Sequence, residues 1–191
     1  PEGADLFWRL VPRFDVVAES FNTHVMHNWG VTYDRLREHR PDVIFASLSG
    51  YGATGPYARY AANGATIEPM SGLTSLHGYE GGLPQNTGGP FPDPMGGSHF
   101  AAAILAALHH RDRTGEGQRI DASMMEAMAV NVGDAILEFD ANGDVRAPMG
   151  NRHPRVAPHG IYAARDGRWI ALAAETDEAW RSLCTAIERA D

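Results

Sequence analysis

One carboxylate lies where a turn rich in glycine and proline meets a helix of small residues. Asp93 belongs to the segment 88–100, and the alanine-rich run 101–108 follows it. Aspartate followed by proline is a common way to begin a helix, so Asp93 is predicted to be the N-cap of this helix. The start of a helix also favours negative charge, and an ionised carboxylate is a nucleophile. Two roles therefore stay open for Asp93: helix cap alone, or nucleophile in covalent catalysis.

Two glycines follow Asp93 inside the predicted helix. Gly96 and Gly97 each cost about 1 kcal/mol of helix stability relative to alanine. The cost is reasonable if a ligand must approach the backbone closely. Unbonded N–H groups at the start of a helix also bind anions. The start of this helix is therefore a candidate site for an oxyanion beside Asp93.

A glycine loop follows the most apolar strand pattern of the chain. The loop is Gly50–Pro56, and the strand is predicted over 42–49. The loop lacks the lysine of a P-loop and does not open a helix as G-x-G-x-x-G does. Ligands of open α/β sheets bind at the carboxyl ends of strands, so the loop is a candidate ligand site. Many loops of this composition are only turns, and that alternative stays open.

Apolar residues alternate between helix spacing and strand spacing through the first 120 residues. The spacing predicts helices over 4–11, 24–29, 33–39, 61–76 and 93–113, and strands over 14–19, 42–49 and 118–121. Helices and strands in alternation predict an α/β fold with a parallel sheet. Beyond the sheet, the pattern predicts one long helix from Ser123 to Asn142, a polar loop over 150–160, a hairpin over 161–173 and a helix from Asp177.

The character of the sequence changes near residue 148, which predicts a domain boundary. Residues 1–122 are expected to be part of a large α/β domain, 123–148 a linker helix, and 149–191 the beginning of a smaller α+β domain. Both ends of the chain fall inside predicted helices. We therefore expect the chain to be a fragment of a longer protein.

The composition argues against several classes of partner. A net charge of −8 provides no basic surface for nucleic acid or for anionic lipid. No apolar run has the length of a membrane span, and no signal peptide is evident. The single cysteine, Cys184, allows no internal disulfide, so a cytoplasmic location is expected. His153 and His159 share one loop without partners at metal-ligand spacing, so no metal site is expected.

Five ordered stretches resemble the class III CoA-transferase family, which includes formyl-CoA transferase and carnitine CoA-transferase. The stretches are 15–21, 47–57, 70–73, 93–108 and 113–121. The resemblance runs over nearly the whole chain and implies a Rossmann-like parallel sheet with flanking helices. The segment 150–160 resembles members of the family that act on aromatic or hydrocarbon-derived carboxylic acids.

The resemblance implies that Asp93 is the nucleophile of a CoA-transferase. Asp93 attacks an acyl-CoA to give a mixed anhydride, and the expelled CoA thiolate returns to form an aspartyl-CoA thioester. An acceptor carboxylic acid then attacks, and the thiolate moves once more to give the new acyl-CoA. The thioester energy is kept, so neither ATP nor a permanently bound cofactor is implied, and CoA is a substrate.

The resemblance also implies which residues bind the substrates. The expected CoA-binding residues follow the first two strands and are Ser20, Phe21, Asn22, Met26, Gly50, Tyr51 and Gly52. Oxyanion and substrate contacts are expected from Gly96, Gly97, His153 and His159. Asn22 and Asn28 stand where the family has arginines, so two phosphate contacts differ. The family's partner is a second copy in an interlocked homodimer, or another subunit in a heteromer.

Three other functions stay open at this point. α-Methylacyl-CoA racemases of the same family need an acid/base pair, and their His-Asp falls at Asn63 and Gly64 here. Neither residue exchanges a proton near neutral pH, which ranks a racemase second. A non-catalytic CoA-binding partner subunit would be expected to lack the nucleophile. A simple binding domain, in which Asp93 only caps a helix, is the third alternative.

Overall fold

The computed structural model describes residues 2–189, which divide into two compact units. The first unit comprises residues 2–74 and 86–145, and the second comprises residues 75–85 and 146–189. The three-part division of the chain drawn from the sequence stays a prediction.

A three-stranded parallel sheet is the centre of the first unit. Its strands are β1 (Val16–Glu19), β2 (Ile44–Ser49) and β3 (Arg119–Ser123), in the order β1-β2-β3. Residues 44–46 of the central strand are buried, as expected for a strand covered on both faces. The α/β fold with a parallel sheet is therefore confirmed.

Residues 2–145 contain eight α-helices and two 3₁₀ turns, and the helix at Leu73–Leu76 crosses the boundary between the two units at residue 75. The helices are α1 (Glu2–Leu10), α2 (Val25–Asn28), α3 (Tyr33–His39), α4 (Gly64–Met70), α5 (Leu73–Leu76), α6 (Pro92–Thr114), α7 (Met124–Ala129) and α8 (Gly133–Asn142), with 3₁₀ turns at Val11–Arg13 and Val130–Val132. The bounds of α3 are those predicted. Its Thr32 N-cap accepts a hydrogen bond from the Arg35 N–H.

Two predicted helices are each broken into two. The helix expected over 61–76 ends after Met70, where Gly72 adopts a φ of +91° that helical residues do not take. The prediction of one long helix from Ser123 to Asn142 was wrong, because the 3₁₀ turn at Val130–Val132 divides this segment into α7 and α8. Residues 130–133 read Val-Asn-Val-Gly, four poor helix formers in succession, which favours a break at this point.

A buried apolar cluster joins the sheet to the helices on one face. Its members are Val11, Met26, Val31, Leu36, Val43 and Phe45, with Phe7, Trp8, Val17 and Tyr33 packed against them. Leu36 points inward from α3, as its spacing predicted, and has no exposed surface.

A charge network holds the amino ends of β1 and β2. Arg40 pairs with Asp15 at 2.8 Å, and its Nε lies 3.0 Å from Asp42. Arg111 of α6 reaches Asp15 at 3.1 Å. The network fastens α6 to the sheet at the end opposite to the carboxyl ends of the strands.

The second unit contains the predicted hairpin and helix. Strands β4 (His159–Ala163) and β5 (Trp169–Ala173) pair in antiparallel register, and α9 (Asp177–Ala186) follows. The segment 75–85 joins this unit through the Gly150 N–H, which donates to the Gly78 carbonyl at 2.9 Å. Among the helices of residues 2–189, none combines the length and apolar character that crossing a membrane requires.

Shortening Leu36 tests the apolar cluster. We expect Leu36→Ala to lower the free energy of unfolding by about 3 kcal/mol, because a fully buried side chain leaves a cavity. Leu105→Ala is the matched control, since Leu105 also lies on a helix but is 66% exposed. Urea denaturation gives both values. Equal losses for the two variants would contradict the assigned core.

Acid titration tests the charge network. A hydrogen bond from Arg40 holds the pKa of Asp42 below its ordinary value. Asp42 therefore stabilises the fold above the ordinary aspartate pKa of about 4, and this contribution is lost as pH falls through the lower native pKa. We expect Asp42→Asn to cost less than about 1 kcal/mol at pH 7, because the pair is solvent-screened.

The cost of Asp42→Asn should shrink as pH falls from 7 through the lowered native pKa of Asp42, as measured by urea denaturation across that range. Asp144→Asn is the control, because Asp144 is exposed and makes no ion pair within residues 2–189. A cost that persists unchanged in acid would show that Asp42 acts through packing rather than charge.

Candidate active site

A cavity of about 220 Å³ lies at the carboxyl ends of the three strands. Because the strands are parallel, the segments that follow them meet at one edge of the sheet. The cavity is lined by Ser20, Phe21, Asn22, Thr23, Leu48, Ser49, Gly50, Tyr51, Ala58, Tyr60, Ala61, Ala62, Asn63, Asp93 and Met124. The residue proposed as nucleophile and most of those predicted to bind CoA therefore share one cavity.

Asp93 is not the N-cap of its helix, so that prediction was wrong. Helix α6 begins at Pro92, the preceding Phe91 takes the N-cap position, and no side chain caps the helix. Proline is favoured as the first helical residue, and here Pro92 rather than Pro94 takes that place. Asp93 is the second residue of the helix, and it lines the cavity.

The carboxylate of Asp93 has no polar partner in the part of the chain that the structure describes. It makes no hydrogen bond or ion pair with residues 2–189, and the residue is exposed. It lies directly against Gly64, the first residue of α4. A Cβ atom at Gly64 would overlap Oδ2 and lie 3.1 Å from Cγ of Asp93. Only glycine at position 64 leaves room for the carboxylate in this position.

The first turn of α6 has no N–H group available for an oxyanion. Four N–H groups are usually unbonded at a helix start, but two of these four positions are prolines. The Asp93 N–H donates to the Pro90 carbonyl at 3.0 Å, and the Met95 N–H donates to the Phe91 carbonyl at 3.4 Å. The expectation of unbonded donors at this helix start was therefore wrong.

The two glycines of α6 differ in what surrounds them. Gly96 is buried, and a Cβ there would lie 3.0 Å from Cγ of Met124. Close packing of α6 on α7 therefore accounts for Gly96. Gly97 has no heavy atom within 4 Å of such a Cβ. The contribution of both glycines to an oxyanion site stays a prediction.

The segment after β1 forms one wall of the cavity. Ser20, Phe21 and Asn22 line it, as predicted. The Thr23 hydroxyl donates to the Ala58 carbonyl at 2.7 Å and so fastens this segment to the next wall. The Phe21 ring meets Trp29 edge-on, with ring centroids 5.5 Å apart, and 48% of Phe21 is exposed. Phe21 therefore has accessible ring surface on which the adenine ring of CoA can stack.

The glycine loop after β2 forms the second wall. Gly50 and Tyr51 line the cavity, and a Cβ at Gly50 would overlap Ala62. Gly52 is buried beside the cavity rather than in its lining, with a φ of +81°. The carboxylate of Asp121 accepts the Ala53 N–H at 3.0 and 3.1 Å. These contacts hold the loop at the carboxyl ends of β2 and β3.

Three of the predicted residues lie away from this cavity or in the other unit. Met26 is outside the lining and belongs to the buried apolar cluster. His153 and His159 belong to the second unit, where their ring centroids are 5.5 Å apart. Their contact with substrate stays a prediction. Among residues 2–189, no three His, Cys, Asp or Glu side chains are grouped to hold a metal ion.

Sequence reasoning did not select several residues of the cavity. Tyr60 and Met124 line it, and Gly64 contacts Asp93, yet none was proposed as a site residue. Met124 follows the carboxyl end of β3, so the strand-end rule that selected the glycine loop also applies to it. Tyr60 comes from a segment without a strand, and no sequence pattern marks it. Gly64 was noted only as the residue at the position of the racemases' aspartate, which gave no reason to expect its contact with Asp93.

The comparisons with known proteins agree with the resemblance seen in the sequence. The model of CoA-transferase family III matches residues 1–191. The chain belongs to this family. A succinyl-CoA–D-citramalate CoA-transferase of Chloroflexus aurantiacus is 34% identical over 98% of this chain and 46% of its own length. An acetyl-CoA:oxalate CoA-transferase of Acetobacter aceti is 36% identical over 95% of this chain and 47% of its own.

Solved structures in the family share the fold. A CaiB/BaiF family protein from Brucella suis superposes with a TM-score of 0.86 at 34% identity, covering 98% of this chain and 49% of that chain. This chain spans about half the length of the curated relatives that it matches. The fold of this family member is therefore established, and the activity of the whole protein is a matter for proposal.

Adding one methyl group tests the contact between Gly64 and Asp93. We expect Gly64→Ala to displace the Asp93 carboxylate while changing the free energy of unfolding by less than about 1 kcal/mol, because the overlapping atoms end an exposed side chain. Crystal structures of the variants show the carboxylate position. Gly133→Ala is the control, since nothing lies within 4 Å of a Cβ there. An unmoved carboxylate in Gly64→Ala would contradict the contact.

Proposed function

We propose that the protein transfers CoA from an acyl-CoA to a carboxylic acid, with Asp93 as the covalent nucleophile. One observation carries the proposal: an exposed carboxylate without a polar partner lies in the same cavity as the segments after β1 and β2. Names of relatives in CoA-transferase family III support transfer of CoA as the reaction.

The bonds that form and break in the proposed reaction belong only to the two substrates and Asp93. An Oδ atom of Asp93 attacks the thioester carbonyl and the C–S bond breaks. CoA departs as the thiolate, and an acyl-aspartyl anhydride is formed. The thiolate attacks the aspartyl carbonyl of the anhydride, which releases the donor acid and forms an aspartyl-CoA thioester. Each step exchanges one activated acyl group for another, which is the logic of covalent catalysis.

The second half of the reaction reverses these steps with a different acid. The acceptor carboxylate attacks the aspartyl-CoA thioester and expels the thiolate again. The thiolate then attacks the acceptor's carbonyl in the new anhydride, which forms the product acyl-CoA and frees the Asp93 carboxylate. No net proton is taken up or released, so the cycle needs no separate acid and base.

The chemistry of the cavity suits the pantetheine arm of CoA. Asp93 is the only charged side chain among the described residues that line it. The pantetheine arm is uncharged and carries two amide groups. Ser20, Asn22 and Asn63 offer polar atoms to such groups, and Leu48 and Met124 offer apolar contact. The arm would bring the thioester to Asp93 and hold the thiolate there between steps.

Stabilisation of the oxyanions is proposed to come from outside the first turn of α6. The N–H groups of that turn are absent or already bonded. The loop that carries His153 and His159 stays the proposed source of substrate contacts. The identity of the acids, a homodimeric or heteromeric assembly and a cytoplasmic location are likewise proposals.

A racemase is less well supported by the cavity. Moving an α-proton requires an acid and a base on the two sides of the carbon. The described lining residues include no histidine, lysine or cysteine. The side chain of Asn63 accepts the Thr66 N–H as the N-cap of α4. We therefore expect no exchange of α-deuterium when an acyl-CoA is supplied without an acceptor acid.

Removing the Asp93 carboxylate tests the proposed nucleophile. In the full-length protein we expect Asp93→Ala to lower kcat for CoA transfer by at least about 10³-fold, as removal of a covalent nucleophile does. The affinity for CoA, measured by calorimetry, should change by less than about threefold, because binding and chemistry use different groups.

The control is Asp177→Ala, which removes an aspartate from the first turn of α9. It removes the same kind of charge from a helix start but lies outside the cavity. We expect it to keep wild-type kcat. Retention of transfer by Asp93→Ala, or equal loss in both variants, would refute the assignment.

A further inference from the structure

A fully buried carboxyl group lies on α4, one turn after Gly64, and takes no part in the proposed chemistry. Glu68 of α4 has no exposed surface. Both of its oxygens accept hydrogen bonds from one residue: the Thr87 N–H at 2.6 Å and the Thr87 hydroxyl at 3.0 Å. No cation pairs with Glu68 among residues 2–189.

A buried carboxyl group without a cation is an unfavourable choice if its only role is to stabilise the fold. Burying a carboxylate removes its hydration, and an apolar side chain of similar size is often the more stable choice. The two hydrogen bonds, one from the backbone and one from the side chain of Thr87, fix this residue in position and orientation. The Glu68–Thr87 pair therefore fixes the backbone at Thr87.

The fixed point lies just ahead of Asp93. Thr87 is followed by Gly88, at a φ of +85°, and by Gly89, so the backbone between Thr87 and Pro90 is intrinsically free to move. Pro90 itself accepts the N–H of Asp93. Holding Thr87 limits the paths that this segment takes into α6.

Helix α4 contacts both ends of the segment through one face. Its buried residues, Gly64, Ile67 and Glu68, have the i, i+3 and i+4 spacing of neighbours on a helix surface. Gly64 lies against Asp93 and Pro90, while Glu68 holds Thr87. The distance between the two contacts on α4 is therefore imposed on the segment from Thr87 to Asp93.

We propose that Glu68 is a positioning residue for Asp93, acting through Thr87. The inference rests on the proposed function, because it gives Asp93 the catalytic role. Glu68 does not touch the reacting atoms; it fixes the segment that places the Asp93 carboxylate against Gly64.

Four variants of the full-length protein separate positioning from packing. Glu68→Ala removes both hydrogen bonds, and Thr87→Val removes the hydroxyl bond with little change of shape. Glu68→Gln and Thr87→Ser each keep both bonds, since a glutamine amide donates to the Thr87 hydroxyl and serine retains the donor. The second pair is the matched control for the first.

We expect kcat for CoA transfer to fall about 10- to 100-fold in Glu68→Ala and by about threefold or more in Thr87→Val, because small displacements of a reacting group are costly. KM for acyl-CoA should stay within about threefold, since the described walls of the CoA cavity are untouched. Glu68→Gln and Thr87→Ser should retain most of the wild-type kcat.

Hydrogen exchange gives a readout that does not depend on catalysis. We expect amides of the segment 87–93 to exchange faster in Glu68→Ala than in wild type, and at the wild-type rate in Glu68→Gln. If Glu68→Ala speeds exchange in this segment but Asp93→Ala remains active, the proposed function fails while the contact between Glu68 and Thr87 stands.

The positioning role would be overturned by a folded Glu68→Ala with wild-type kcat, or by a loss of activity that lies in KM alone. If Glu68→Ala does not fold, the comparison of Thr87→Val with Thr87→Ser decides. Equal kcat values in those two variants would overturn the proposal.

Discussion

The contact between the Asp93 carboxylate and the backbone of Gly64 is the constraint on which the site depends. It requires glycine at the start of α4, because a Cβ atom there would overlap Oδ2. It also requires α4 and α6 to begin side by side at the cavity. The buried face of α4 meets this requirement by contacting Asp93 and Pro90 at one end and Thr87 at the other. One short helix therefore sets the position of the carboxylate.

The parallel sheet supplies the remaining walls. Because β1, β2 and β3 run in one direction, the residues that follow them meet at one edge, and Phe21, Gly50 and Met124 come together there. The ionic network around Arg40 lies at the other end of the strands. The ionic network that stabilises the fold and the cavity that is proposed to bind substrate therefore lie at opposite ends of the sheet. The Asp93 carboxylate has no polar partner among the described residues.

Periodicity was sufficient for the sheet and for α3, because local hydrophobic spacing decides these features. The strand-end rule selected the glycine loop of the cavity, and the family resemblance selected Ser20, Phe21 and Asn22. These sequence signals failed where two nearby residues suit the same structural position. Pro92 and Pro94 are both suitable first residues of α6, and the turn before them selects Pro92, which moves Asp93 from the cap into the helix. The contacts of Asp93 with Gly64 and of Glu68 with Thr87 join residues far apart in sequence, and no local pattern records them.

The central claim is that the Asp93 carboxylate is converted to an acyl anhydride and then to a CoA thioester during turnover. The most direct measurement is to incubate the full-length protein with an acyl-CoA, quench with hydroxylamine, and locate the modified residue by mass spectrometry. Hydroxylamine attacks anhydrides and thioesters but not free carboxylates, so a hydroxamate marks the activated residue. The account predicts a hydroxamate at Asp93 that depends on acyl-CoA. An unmodified Asp93 in protein that binds CoA normally and is turning over substrate would contradict it.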